Sequence, residues 1–138
     1  MIRLIQFLNE KNHFLEKFYA LNEAQIVHLR AGRFDGLEIF YNQREDLLKI
    51  IKYIDTQIHQ AHRMHKDTIL GTAVQFTVEQ KAEIYACLRA KEAYAKHILE
   101  QDLDVLGLID DAKSMIIKEL QGVQKARKAM AGYKVSAA

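Results

Sequence analysis

No proline interrupts this chain of 138 residues. Proline is the residue that most reliably ends or kinks a helix, because it lacks an N–H and its ring clashes with the carbonyl four residues earlier. Without it, punctuation falls to six glycines, and between them apolar residues recur at steps of three and four. That spacing is the period of one face of an α-helix, not the alternation of a strand. Leu4, Phe7, Leu8, Phe14, Leu15, Phe18, Leu21 and Leu29 mark a first helix over roughly residues 2–30. Arg3, Glu10, Glu16, Lys17 and Glu23 fall between them and are left for water.

The stretch RAGRFDGLEIFYNQREDLLKII, residues 30–51, carries two of the glycines. Gly32 is expected to release the first helix by adopting a left-handed conformation at its C-terminal side, the alternative being a kink in one continuous helix. Asp35, with Glu38 three residues on, is expected to cap the next helix in the manner of a capping box. Leu37, Phe40, Leu47, Leu48, Ile51, Ile54 and Ile58 then continue at a spacing near 3.5, the period of helices that pack along long partners. Arg44 occupies a place in that series where an apolar residue would fit. Its head either reaches water over an apolar stem or meets a carboxylate or a partner. Gly71 ends the second helix, and Thr77 with Gln80 forms a T-x-x-Q capping box for a third.

From Val78 the pattern runs long. Ala82, Tyr85, Leu88, Ala95, Leu99, Leu103, Leu106, Ile109, Ile116, Ile117, Leu120, Val123 and Met130 keep helical spacing to about Ala131. Gly107 and Gly122 are places for a bend. The expected fold is all-α: an elongated antiparallel helical hairpin or bundle of about three long, coiled-coil-like helices. Residues 1–131 form one domain, and 132–138 are expected to be a flexible tail.

Composition narrows the function classes. Apolar residues make up 49% and charged residues 28%, a balance that folds rather than staying disordered. No run approaches the ~20 apolar residues that cross a bilayer. The N-terminus MIRLIQFLNEKNHF has neither the apolar core nor the cleavage site of a signal peptide, so a cytoplasmic protein without membrane insertion is expected. Cys87 is the only cysteine, and its surroundings suit a small apolar filler rather than a nucleophile. After Glu119 every charged residue is basic: Lys125, Arg127, Lys128 and Lys134. Cations at a helix C-terminus complement its exposed carbonyls, and this end lacks the helix-turn-helix context and aromatic content of a nucleic-acid reader.

Candidate chemistry is thin. His59, His62 and His65 lie at i, i+3 and i+6, which spreads them over roughly 120° of a helix and prevents all three from meeting one ion. Glu10 and His13 make one E-x-x-H, whereas a di-iron bundle needs two with two further glutamates. Asp102 with Asp104, and Asp110 with Asp111, face no nucleophile or phosphate loop. No catalytic residue, metal site or cofactor emerges. A binding role does: Met115, Ile116, Ile117, Leu120, Val123 and Met130 form an apolar stripe in basic surroundings, which suits a bundle core or the docking of a partner helix.

Two stretches resemble bacterial flagellar export chaperones of the FlgN/FliT type. In Leu29–Ile51 the likeness lies in Ala31 and Gly32, then Leu37, Arg44 and the Leu47–Leu48 pair. Ile98–Tyr133 is similar to the long closing helix of that group, with its acidic run, Lys113, spaced Ile and Leu, and terminal Gly-Tyr. The resemblance implies a cytoplasmic, non-enzymatic helical protein. Its partners would be a hook-associated or filament-cap protein held before secretion, and the flagellar export apparatus. It assigns substrate binding to Ile116, Ile117, Leu120, Val123 and Met130, and a weaker export-apparatus contact to Arg127, Lys128 and Tyr133. A homodimer is compatible with the 3.5-spaced faces. The competing readings are a coiled-coil adaptor or scaffold without a flagellar role and, more remotely, a metal-binding bundle.

Overall fold

The computed structural model describes residues 2–71 and 76–137, with side-chain surroundings for residues 3–64 and 76–132. Three helices account for the architecture: α1 (Ile2–Arg30), α2 (Leu37–Gly71) and α3 (Val78–Ala137). α3 runs unbroken through Gly107, Gly122 and Gly132 for 60 residues, on the order of 90 Å at 1.5 Å per residue.

The joint between α1 and α2 is built largely as the residues dictate. Gly32 takes φ +75°, a conformation that costs glycine nothing for want of a Cβ. Its N–H donates to the Leu29 carbonyl at 3.0 Å, and the Arg33 N–H donates to the His28 carbonyl at 2.9 Å. Together these bonds make a Schellman motif, which satisfies carbonyls the ending helix would otherwise leave open. The start of α2 departs from expectation. Asp35 does not cap it; the Leu37 N–H turns back onto the Phe34 carbonyl, and the Gly36 carbonyl accepts the first helical bond, from Phe40 at 3.0 Å. Gly36 therefore stands at the cap position, one residue later than the aspartate, and glycine is itself acceptable there. Before α3 the capping box forms as expected. The Gln80 N–H donates to Thr77 Oγ1 at 3.1 Å, and the Thr77 N–H donates to Gln80 Oε1 at 2.9 Å.

The core is three apolar layers stacked along the helices. Leu4 and Leu8 of α1 meet Cys87 of α3 at one end, with Ile58 of α2 against them. Phe18, Ile51 and Ile98 form the middle layer, and Ile26, Leu29, Phe40 and Val105 the far one. The order of residues in these layers shows α2 antiparallel to both neighbours, while α1 and α3 run the same way. α1 packs directly against both, and among the described residues no α2 backbone comes within 8 Å of α3. A helix covered on two sides needs a wide apolar arc, which α1 supplies.

The residues that keep helical spacing along α3 do not all lie on its buried face: Tyr85, Leu99, Leu103 and Leu106 are exposed, and the buried positions are Cys87, Ile98, Gln101 and Val105. α3 carries two apolar faces, and α1 takes the one centred on Val105.

Candidate functional site

The contacts between α1 and α3 keep a nearly constant offset. Asn12 donates to the Cys87 carbonyl, Gln101 to the Tyr19 carbonyl, and Asn22 to Asp102, separations of 75, 82 and 80 residues along the chain. Arg30 ends α1, so the same offset brings its support of α3 to an end near Asp110. Beyond Ala112, every residue described as far as Gly132 is exposed. These 20 residues project from the bundle as a lone helix of roughly 30 Å.

Ile116, Val123 and Met130 recur at steps of seven and continue the Val105 face past the point where α1 stops. They are 56%, 48% and 62% exposed. Leu120 flanks this line, and Ile117 lies about 120° from Val123 at 100° per residue, on the outer face with Leu99, Leu103 and Leu106. The five residues assigned to substrate binding thus do not share one surface. A buried Ile, Leu, Val or Met side chain contributes about 1.5–3 kcal/mol over an exposed one, so the inner line forgoes several kcal/mol while uncovered.

At its root the inner line opens into a groove of about 460 Å³ between the α1–α2 joint and α3. Leu29, Phe34, Leu108, Met115 and Ile116 form its apolar lining. Phe34 is on the rim because the Gly32 turn holds the chain there. The surroundings are basic on balance: Arg30 and Arg33 at the joint, then Lys113, Lys118, Lys125, Arg127 and Lys128 along the projecting helix, against Asp35, Asp111 and Glu119. Arg127 and Lys128 are exposed, and the Tyr133 side chain lies outside the described residues.

Other sequence candidates are placed elsewhere. Arg44 is not offered to a partner. Its Nη2 donates to Asp102 Oδ2 at 2.8 Å, and its guanidinium lies 5.1 Å from the centre of the Phe18 ring. Asn22 completes this three-helix junction by donating to Asp102 Oδ1 at 3.1 Å. His59 and His62 are exposed on α2, and the His65 side chain lies outside the described residues. Among the described residues no group of three or more histidine, cysteine or acidic side chains converges as a metal site would require.

Cys87 is buried beside Leu4 and Leu8, and its Sγ donates to Asn9 Oδ1 at 3.2 Å. Burial pushes the thiol pKa up, and the nearby Glu83 carboxylate raises it further. That is the reverse of what a nucleophilic thiolate needs. No described helix is long and apolar enough to cross a membrane. Comparison with protein-family models, curated proteins and solved structures returns no match.

Proposed function

We propose that this protein is a helical export chaperone of the flagellar type, which holds an amphipathic helix of a hook-associated or filament-cap protein on the projecting end of α3 until secretion. The observation that carries the reading is the inner apolar line of Ile116, Val123 and Met130, continuous with the α1-binding face and left uncovered. A partner helix laid there would take the place of α1 along the extended helix and bury both apolar faces. The basic surroundings select a partner helix with acidic flanks and speed its approach. Arg127 and Lys128, at the far end, are available to the export apparatus. The sequence likeness in Ala31, Gly32, Leu37, Arg44, Leu47 and Leu48 supports the same reading.

The test is capture of purified hook-associated and cap proteins by the full chain, by a chain ending at Asp111, and by Met130→Asp. The full chain is expected to form a complex, the shortened chain to form none, and Met130→Asp to bind at least tenfold more weakly, since a carboxylate must be desolvated against an apolar partner. Capture undiminished by the deletion would overturn the site. Failure to hold any of these proteins, with capture of an unrelated acidic amphipathic helix, would instead make the chain a coiled-coil adaptor.

A further inference from the structure

The outer face of α3 carries a second apolar series, which neither the bundle nor the proposed partner helix uses. Leu99, Leu103, Leu106, Asp110, Lys113, Ile117, Leu120 and Gln124 follow one another at steps of four and three without a break. This is the 3.5-residue period of a coiled-coil seam, with alternate members at the two inward-facing positions of each heptad. All are exposed; Leu99, Leu103, Leu106, Ile117 and Leu120 are each more than half exposed despite their size. A helix meant only to pack on α1 has no use for such a series.

The seam matches its own reverse. Laid antiparallel across a two-fold axis between residues 111 and 112, Leu106 meets Ile117 of a second copy, Leu103 meets Leu120, and Leu99 meets Gln124. Each is a pairing of one heptad position with the other, as antiparallel coiled coils require. The two polar members pair as well. Asp110 falls opposite Lys113 of the second copy, and the symmetry repeats this contact. Charge along α3 is divided in the same sense. Residues 98–110 hold Glu100, Asp102, Asp104 and Asp110 with no Lys or Arg, whereas residues 113–125, which this register lays against them, hold Lys113, Lys118 and Lys125 with Glu119 alone. A parallel pair would set like against like; the antiparallel pair sets acidic segment against basic segment. Gly107 and Ser114, small residues beside the axis, allow close approach.

We propose that the protein forms an antiparallel homodimer through this outer face of α3, with the Asp110–Lys113 pairs fixing its register. The interface is isologous, the same patch on both copies, which closes after two. The two bundles point away from each other from the axis, and the inner line ending at Met130 stays open.

Molar mass in solution across a dilution series, by light scattering or sedimentation, tests this on the full chain. The expected result is a monomer–dimer equilibrium. Asp110→Lys, which sets Lys against Lys113, and Lys113→Asp, which sets Asp against Asp110, are each expected to raise the dissociation constant about tenfold or more. The double exchange should restore it to near the original, and Leu103→Lys should abolish the dimer. These positions are exposed in the single chain, so unchanged helix content in each variant separates lost association from lost folding. A monomer at every concentration would overturn the proposal. So would a dimer indifferent to Asp110→Lys, or a double exchange that fails to rescue. Met130→Asp is expected to leave the dimer intact, so loss of partner capture and loss of dimerisation remain distinguishable.

Discussion

Asp102 accepts from two donors on two different helices, so one carboxylate of α3 ties in both α1 and α2. Arg44 of α2 and Asn22 of α1 each hold one of its oxygens, and the arginine also lies over Phe18. Its neighbourhood is polar but enclosed: Asn22 is fully buried, and Gln25 and Gln101 nearly so. Gln101 Nε2 donates both to the Tyr19 carbonyl at 3.0 Å and to Glu23 Oε1 at 2.8 Å. Sliding α3 by one turn along α1 would break all of these while leaving leucine on isoleucine, so this polar layer fixes axial register where apolar packing alone tolerates slippage. Removing Asp102 strands a half-buried guanidinium and a buried amide. Hydrogen bonds to charged groups contribute about 1.5–3 kcal/mol, so Asp102→Ala is expected to lower unfolding stability by about 2 kcal/mol, and Arg44→Ala by a similar amount. The double variant should cost clearly less than the two added together, since both remove one shared interaction. Urea titration of the four chains checks this; strict additivity would show that the pair acts independently. The sequence concealed this layer. Arg44 was visible as an interruption, with a carboxylate among its possible partners, but the partner stands 58 residues away. Periodicity places Asp102 on a face, and nothing local says which turn of α2 lies opposite.

At the scale of the element, helix boundaries were the most readable feature, because each rests on local backbone chemistry. The Gly32 turn and the Thr77–Gln80 box act within one turn, and both lie where helices end and begin. The exception at Asp35 has the same origin: Gly36 offers a competing cap one residue along, and the turn through Phe34 and Leu37 settles in its favour. Burial on α3 was less readable because its two apolar faces have comparable strength, and only the choice made by α1 separates Val105 from Leu106. The glycines give an element-scale test in which one chemical change has opposite signs. Gly32→Ala places a Cβ in a left-handed residue, with no neighbour within 4 Å to clash or to help, so its cost is conformational, about 1 kcal/mol. Gly107→Ala, also in open space but within the continuous helix α3, is expected to stabilise by about 0.5–1 kcal/mol through better helix propensity. Thermal melts of the two variants should move in opposite directions, and a common direction would contradict the backbone assignment at Gly32.

For the whole molecule, the decisive feature is the mismatch between a 60-residue α3 and partners of 29 and 35 residues. No member of the three apolar layers lies beyond Ile109 among the described residues. The packed core and the proposed partner-binding line of Ile116, Val123 and Met130 therefore lie in different parts of one helix. An isolated helix of some 20 residues is marginal in water, because few tertiary contacts offset the entropy of holding it. The projecting segment keeps its form chiefly by continuing a helix already nucleated in the bundle. Two consequences distinguish this arrangement from a uniformly packed rod. At dilutions where both are monomeric, a chain ending at Asp111 should unfold with nearly the same free energy as the full chain, within about 1 kcal/mol, since it loses little buried apolar area. Amide hydrogens of residues 113–132 should exchange orders of magnitude faster than those around Val105, because they open by fraying rather than by unfolding the bundle. Protection at Ile116, Val123 and Met130 should then rise when an amphipathic partner helix is added, and at Leu106 and Ile117 when the protein is concentrated. Slow exchange across 113–132 in the dilute, unpartnered chain would mean that something else already covers this helix, and both proposals for its two faces would lose their physical basis.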